Sequence, residues 1–394
     1  YVSAPGTLVS GNGINGTWSF TISNSAMGGV VIADSISYFV IAQDLATIPN
    51  LIAKPALGFV ATNVNTVSSP PSSPYKYVIG DNLSGTYSIG VGGDFTTLTA
   101  AVNRYNISCL NGPILFSLID ASYPAETFPI TVLNNVDAST MNTLTIKPAT
   151  GVSPSIVGSN AQAILRFHLA RYVTLDGSNS PNGSTRDLTV RNNSTGLSNA
   201  VIWLSSPEPV DGTDHITIKN CTVRGSSPTT SRVCIVSSGI YVGSLGGRHI
   251  NTVIENNHLF AAQFGVTTGQ INIGNPGVVI TRNQIGSTNL AESISGTGIN
   301  VYDLDGGLVT DNNIFNIGGP TSYPPKGIDI NGRMMNTRIE RNRISGIKST
   351  QVNGPGAIGI LVNNNLDVPN FVIANNFISD ITCFGKTTMG YQDN

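Results

Sequence analysis

Apolar and polar residues alternate with period two through the second half of the chain, and asparagine interrupts the alternation at intervals. The phrase reads Ile216-Thr217-Ile218-Lys219-Asn220-Cys221, then Val253-Ile254-Glu255-Asn256-Asn257, then Val279-Ile280-Thr281-Arg282-Asn283. It returns at Val309-Thr310-Asp311-Asn312-Asn313, Arg338-Ile339-Glu340-Arg341-Asn342 and Val372-Ile373-Ala374-Asn375-Asn376, with a weaker copy at Leu188-Thr189-Val190-Arg191-Asn192-Asn193. Markers at 193, 221, 257, 283, 312, 342 and 376 lie 28, 36, 26, 29, 30 and 34 residues apart. A period-two pattern specifies strands, whereas helical repeats would step by three and four. A fixed strand unit joined by loops of variable length accounts for the uneven spacing.

One such coil cannot bury its own apolar face, but stacked coils bury a continuous core while each strand pairs with its equivalents above and below. The fold this predicts is all-β: a right-handed parallel β-helix over 81–394, the right hand following from the crossover rule. Asn tolerates the left-handed backbone region, so the marker residues are expected to turn the chain. Stacked on one another, Asn257, Asn283, Asn312, Asn342 and Asn376 would also form a structural amide ladder. Cys221 interrupts it once, and plain turn chemistry is the simpler alternative for all of them.

A second repeat runs one strand out of phase: Gly239-Ile240-Tyr241-Val242, Gly265-Val266-Thr267, Gly298-Ile299-Asn300-Val301, Gly327-Ile328-Asp329-Ile330 and Gly359-Ile360-Leu361-Val362. Each coil therefore has at least two strands. If the residue after each Gly points inward, alternation sends Tyr241, Thr267, Asn300, Asp329 and Leu361 outward, with Tyr302, Asn331 and Asn363 two residues on. Tyr241, Asn300, Tyr302, Asp329 and Asn331 are the predicted ligand contacts, since aromatic faces beside amides and a carboxylate suit a sugar chain. A merely solvated sheet face is the plain alternative.

Upstream, residues 1–80 show short apolar runs separated by Gly, Asn and Pro, including Trp18-Ser19-Phe20-Thr21-Ile22, Val30-Val31-Ile32, Ile36 to Ala42 and Leu57-Gly58-Phe59-Val60. They predict a small β-sandwich, Ig-like and truncated at its start. The Pro- and Ser-rich stretch Val67 to Pro74 reads as a semi-rigid connector. After it, Phe95, Leu98, Ala101, Val102 and Tyr105 fall on one helical face, with Asp94 or Thr96 placed to cap. A helix there would cover the open end of the solenoid.

Composition narrows the picture. Of 394 residues only 11% are charged, with net charge −2, so there is no nucleic-acid footprint. The 43 Gly and 21 Pro suit a turn-rich β protein. No run of eighteen apolar residues exists to span a membrane. The chain opens on Tyr1 without a leader, as expected of a processed product or a piece of a longer polypeptide. Cys109, Cys221, Cys234 and Cys383 have no metal spacing and are expected as core thiols, with a Cys221–Cys234 disulfide as the alternative.

The phrases Gly92-Gly93-Asp94-Phe95-Thr96-Thr97-Leu98, Tyr172-Val173-Thr174-Leu175-Asp176-Gly177-Ser178, Arg186-Asp187-Leu188-Thr189-Val190-Arg191-Asn192 and Ser37-Tyr38-Phe39-Val40-Ile41-Ala42-Gln43-Asp44 resemble large secreted surface proteins of Bacteroidota. That resemblance implies export by the type IX secretion system and sandwich modules combined with right-handed β-helices. Its motifs are structural and specify no activity, and the C-terminal sorting domain of that family is not found here. The capping helix and first strands also resemble the start of pectin methylesterases and pectate lyases, whose catalytic signatures do not follow.

For chemistry, glycoside cleavage needs two carboxylates a few ångströms apart. Asp303 and Asp305 are the best local pair, although Asp-Gly-Gly is also ordinary turn chemistry. Asp211 and Asp214 beside His215 form a second acidic cluster. His168, His215, His249 and His258 occupy different phases and make no metal set, and no cofactor motif is present. Two readings follow. The first is a non-catalytic, secreted or surface-displayed β-helix, an adhesive or structural segment of a larger extracellular protein whose partners are a polysaccharide or other surface ligand, neighbouring domains, or further copies. The second is a polysaccharide lyase or glycoside hydrolase, tailspike-like depolymerases included.

Overall fold

A computed structural model describes residues 2–207, 212–269, 274–319, 324–350, 356–363 and 370–384. The chain divides into two compact units, one of residues 1–82 with 107–109 and one of residues 83–106 with 110–394.

In the second unit the alternating phrases become strands of a parallel β-helix with three sheets, so the coils from Leu144 to Asn363 carry three strands rather than the two expected as a minimum. Among the described residues the first sheet has ten strands, running from Asn82–Ile89 and Cys109–Leu118 through Leu144–Pro148, Arg171–Asp176 and Asp214–Lys219 to Val372–Ala374. The second contains Ser155–Gly158, Leu188–Asn192, Cys221–Arg224 and His258–Phe260, and the third Ile130–Leu133, Leu165–His168, Ala200–Ser205, Val233–Ser238 and Ala262–Thr267. Pairing between equivalent strands is parallel and in register, as in Leu175↔Ile218 and Ile218↔Ile254. Inward-facing Ile, Val and Leu from all three sheets form one core that runs along the solenoid. Each such side chain contributes roughly 1.5–3 kcal/mol on burial.

Between the first and second sheets the chain turns on a pair of residues with different duties. The left-handed residue is the first of the pair: Asn220, Asn256, Arg282, Asp311, Arg341 and Asn375 have φ between 50° and 58°. The second residue carries the ladder, so the turn expected of Asn257, Asn283, Asn312, Asn342 and Asn376 belongs to their predecessors. Asn283 donates its backbone N–H and its Nδ2 to Asn312 Oδ1, both at 3.0 Å. Its other Nδ2 hydrogen goes to Ile254 O at 2.8 Å. The same bonds recur from Asn257 to Asn283, Asn312 to Asn342 and Asn342 to Asn376. Cys221 ends the series by donating its N–H to Asn257 Oδ1 at 2.9 Å. The weaker copy at 188–193 belongs elsewhere: Leu188 pairs with Cys221, so that strand lies in the second sheet, after the turn and not before it.

The glycine repeat has a spatial cause. A Cβ on Gly298 would stand 2.7 Å from Gly327 O and 2.6 Å from Ile314 Cγ2; Gly265 and Gly327 meet equivalent neighbours, and Gly359 meets the Ile378 side chain. Gly239 is not part of this stack. In its coil the in-register residues are Ile235↔Val266 and Val236↔Thr267, which puts the buried Cys234 at the glycine position. Cys221 and Cys234 are buried thiols not joined by a disulfide, whereas Cys109 and Cys383 are exposed and so depart from the core placement expected of all four.

The helix Leu98–Ile107 buries Leu98, Ala101, Val102 and Tyr105 in the core, and Asn106 donates to Thr131 O on the first strand of the third sheet. Its cap differs from expectation. Thr97 Oγ1 accepts from Ala100 N at 3.0 Å, and the Glu126 carboxylate accepts from the N–H groups of Leu98 and Thr99 at 2.6 and 2.7 Å. Asp94 instead holds Ser88. A carboxylate at a helix N-terminus satisfies orphan donors and opposes the dipole.

The loop 177–187 forms a strap. Arg186 donates to Asn256 O, Asn256 Oδ1 and Gln284 Oε1 at 2.8, 2.9 and 2.9 Å, reaching coils 70 and 98 residues away.

The first unit has a different character. It contains three separate two-stranded antiparallel sheets, Thr7–Gly11 with Gly16–Ser19, Ser35–Tyr38 with Tyr75–Val78, and Val40–Gln43 with Leu51–Lys54. Trp18, Phe20 and Ile32 remain exposed, and Ala53 and Pro71 are the buried apolar side chains among residues 2–80. The connector at 67–74 lies within this unit, since the strand after it returns to Ser35–Tyr38.

Candidate functional site

Strand alternation on the third sheet sends two columns of side chains outward. One runs Arg166, Trp203, Val236, Thr267, Asn300, Asp329 and Leu361 in direct register. The other begins His168, Ser205 and Ser238 and continues in later coils as Tyr302, Asn331 and Asn363.

Although it points away from the core, Trp203 is fully buried. The loop that follows Val233–Ser238 folds back over it, so that Val242 and Phe264 pack against a small outer cluster of Ala163, Ala200, Trp203, Val233 and Val236. The Arg166 guanidinium lies 4.3 Å above the indole. Trp203 Nε1 donates to Ser238 Oγ at 2.9 Å. Ser238 Oγ in turn donates to Tyr241 O and accepts from Gly243 N, both at 3.2 Å, which fixes the path of the loop.

Between this loop and the sheet lies a groove of about 230 Å³. Val242 to Leu245 form one wall, Ser237, Thr267 and Asn300 belong to its floor, and Phe264 and Tyr302 supply aromatic faces. Arg232 stacks 5.3 Å over Phe264 at the same groove. The Tyr302 backbone is pinned from both sides, its N–H donating to Thr268 Oγ1 at 2.7 Å and its carbonyl accepting from Asn275 Nδ2 at 3.2 Å.

The predicted contacts distribute unevenly around this groove. Asn300 and Tyr302 line it. Asn331 donates Nδ2 to Asn300 Oδ1 at 3.0 Å, and Asn363 repeats the bond to Asn331 at 3.1 Å, giving an outer amide ladder. Asp329, next in register to Asn300, is 7% exposed; its Oδ2 meets Lys326 Nζ at 2.5 Å and its Oδ1 has no hydrogen-bond partner. Tyr241 departs from expectation. It follows the strand instead of sitting in it, and both Tyr241 and Ile240 are more than half exposed, so it joins the column only through its carbonyl on Ser238.

Asp303 and Asp305 each accept a hydrogen bond at a turn. Asp303 has φ 50° at a register shift in the strand, which removes it from the alternation that would have set it beside Asp305. Its Oδ1 accepts from Arg333 N at 2.9 Å, while Asp305 Oδ1 accepts from Asn336 Nδ2 at 3.1 Å; both hold turns. Asp214 pairs with His215 at 2.6 Å and Tyr172 stacks on the His215 ring, while Asp211 lies outside the described residues. The four histidines are dispersed, and no metal-binding cluster occurs among the described residues. His249 is buried, with Nδ1 2.9 Å from Thr213 Oγ1, and burial pushes it down to about 4. Burial also drives the Cys221 and Cys234 thiols upward, the latter to about 12, which makes them inert.

Arg166, His168, Trp203, Ser205 and the loop 239–247 were not signalled by the repeat phrases. The alternation in Leu165-Arg166-Phe167-His168 carried the available cue.

Residues 210–394 match the family model described as a right-handed β-helix region, so the coils there are those of a right-handed β-helix. A comparison with curated protein sequences finds no match. Among solved structures, the chain is similar to a GH136 lacto-N-biosidase from Eubacterium ramulus, at 11% identity and TM-score 0.42 over 75% of this chain and 68% of that one. It is also similar to the pectin methylesterase from Aspergillus niger, at 12% identity and TM-score 0.36 over 80% and 93%. The Dettilon tailspike protein follows at 11% and 0.27 over 74% and 59%. No helix among the described residues is long and apolar enough to cross a membrane.

Proposed function

We propose that this chain is a glycan-binding β-helix, a secreted or surface-displayed segment that holds an oligosaccharide in the third-sheet groove without cleaving it. The groove itself carries the reading: its described lining combines two aromatic faces, hydroxyls and an amide with a single guanidinium, and contains no carboxylate. Such a lining supplies stacking and orienting hydrogen bonds, whereas glycoside cleavage by acid and nucleophile or base requires two carboxylates. The outer ladder leaves Asn331 one Nδ2 hydrogen and an Oδ1 lone pair for a sugar hydroxyl. Asp329 is the one acidic side chain of this column, and the alternative, a polysaccharide lyase or glycoside hydrolase, rests on its unpartnered Oδ1.

A glycan array read together with product analysis tests both readings. Binding without new reducing or unsaturated ends is expected. Tyr302→Ala should weaken it about tenfold while leaving the fold intact, the loss of one stacking face and its buried area. Turnover that disappears in Asp329→Asn would overturn the non-catalytic reading; binding unchanged by Tyr302→Ala would remove the groove from the account.

A further inference from the structure

The groove wall is connected to a titratable side chain. His168 Nδ1 faces two hydrogen-bonding groups at once, Ser205 Oγ at 3.0 Å and Arg166 Nη2 at 3.3 Å, while Arg166 Nε donates to Ser205 Oγ at 2.8 Å. A guanidinium only donates, so Nδ1 is an acceptor here and the ring is neutral with its proton on Nε2. Ser205 Oγ then accepts from Arg166 and donates to His168. The arrangement is closed only while the imidazole is uncharged. Ser205 comes from the strand on one side and Leu133 from the strand on the other, neither of them charged, and Arg166 is the charge that acts on the ring.

Arg166 is also the roof over Trp203, whose Nε1 holds Ser238, whose Oγ holds Tyr241 and Gly243 at the base of the wall. His168 and the groove are thus joined by a continuous series of contacts.

We propose that His168 and Arg166 are positioning residues for the groove wall, and that protonation of His168 releases the wall and lowers ligand affinity. A proton on Nδ1 removes the acceptor for both neighbours and sets two cations side by side. Arg166 then leaves the indole, and the Ser238 anchor and Val242 loosen with it. Burial and then the Arg166 charge hold the His168 ring below its ordinary value of 6.5, so the transition falls on the acid side of that value. The effect on affinity rests on the glycan-binding reading; the movement of the wall does not.

The test uses the full chain. Trp18 and Trp203 are its only tryptophans, so Trp18→Phe leaves Trp203 as the single indole reporter. Fluorescence followed from about pH 8 to about pH 5 should change with one midpoint below the usual histidine value, and His168→Gln, a neutral acceptor, should abolish the change. Affinity for an array-identified oligosaccharide should fall about tenfold over the same range in the unaltered protein and stay level in His168→Gln. In the unaltered protein, the Val242 methyl resonances should shift with the midpoint of the His168 ring, a readout that needs neither a variant nor a ligand. A Val242 shift with a different midpoint, or a fluorescence change that survives His168→Gln, overturns the proposal. Failure to find any glycan would remove the first reading and leave these two measurements standing.

Discussion

The chain builds two amide ladders, and they differ in how completely they use their hydrogen bonds. In the ladder between the first and second sheets, each interior Asn donates both Nδ2 hydrogens and accepts twice at Oδ1. On the outer face of the third sheet, Asn300, Asn331 and Asn363 are linked by one bond per step. The first arrangement has no capacity left and is buried, so it can only hold the coils together. The second keeps donors and acceptors in reserve beside a groove. The same residue type stacked at the same coil spacing is thus bonded to capacity in one place and left with spare donors and acceptors in the other, the feature on which the proposed glycan binding draws.

Asn312→Leu should break the inner ladder most severely. It removes the acceptor for Asn283 N–H and Nδ2 and the donor to Ile280 O, leaving buried groups unpaired. A loss of about 3–5 kcal/mol is expected from two or more such groups, seen as an early unfolding transition in denaturant titration. An unchanged midpoint would mean that the ladder is decorative.

Acidification should probe the interior next. Burial keeps His249 neutral when folded, with its value lowered from 6.5 to about 4. The unfolded chain therefore takes up the proton first, so stability is complete above about pH 6.5 and declines as the pH falls toward about 4. The loss should reach about 3 kcal/mol and be absent in His249→Phe; a pH dependence shared by both proteins would assign it to carboxylates.

The smallest effect is expected on the outer ladder. Asn331→Ala should change stability by less than about 0.5 kcal/mol, as a substitution near the surface does, while weakening glycan binding several-fold. A large loss of stability there would make the outer ladder structural and end the contrast.

What could be read in advance follows from the same contrast. Period-two strands and Asn pairs are local and repeated, so the coils, the core face and the inner ladder residues were visible in the chain. The division of labour within Asn256-Asn257 or Arg282-Asn283 was not, because the left-handed turn and the amide stack are adjacent duties that share one residue preference. The groove was only partly legible. Asn300 and Tyr302 followed from alternation, but Tyr241 was misplaced because Cys234 stands where other coils have glycine. His168 and Ser205 meet across 37 residues, and the wall is an insertion with no repeat to announce it. In the first unit, alternation produced strand pairs but few buried side chains, and pattern alone does not report whether pairs will pack.

The strap has a consequence for how such a rod responds to force. Solenoid coils normally touch only their neighbours, so tension applied at one end can peel them away singly, each release independent of the next. Arg186 instead grips Asn256 and Gln284, beyond the adjoining coil. Peeling that reaches this point must break the grip before the coils beneath it can come free. The strap therefore works as a mechanical stop part-way along the rod, dividing it into a segment that can unravel under load and a segment that is held.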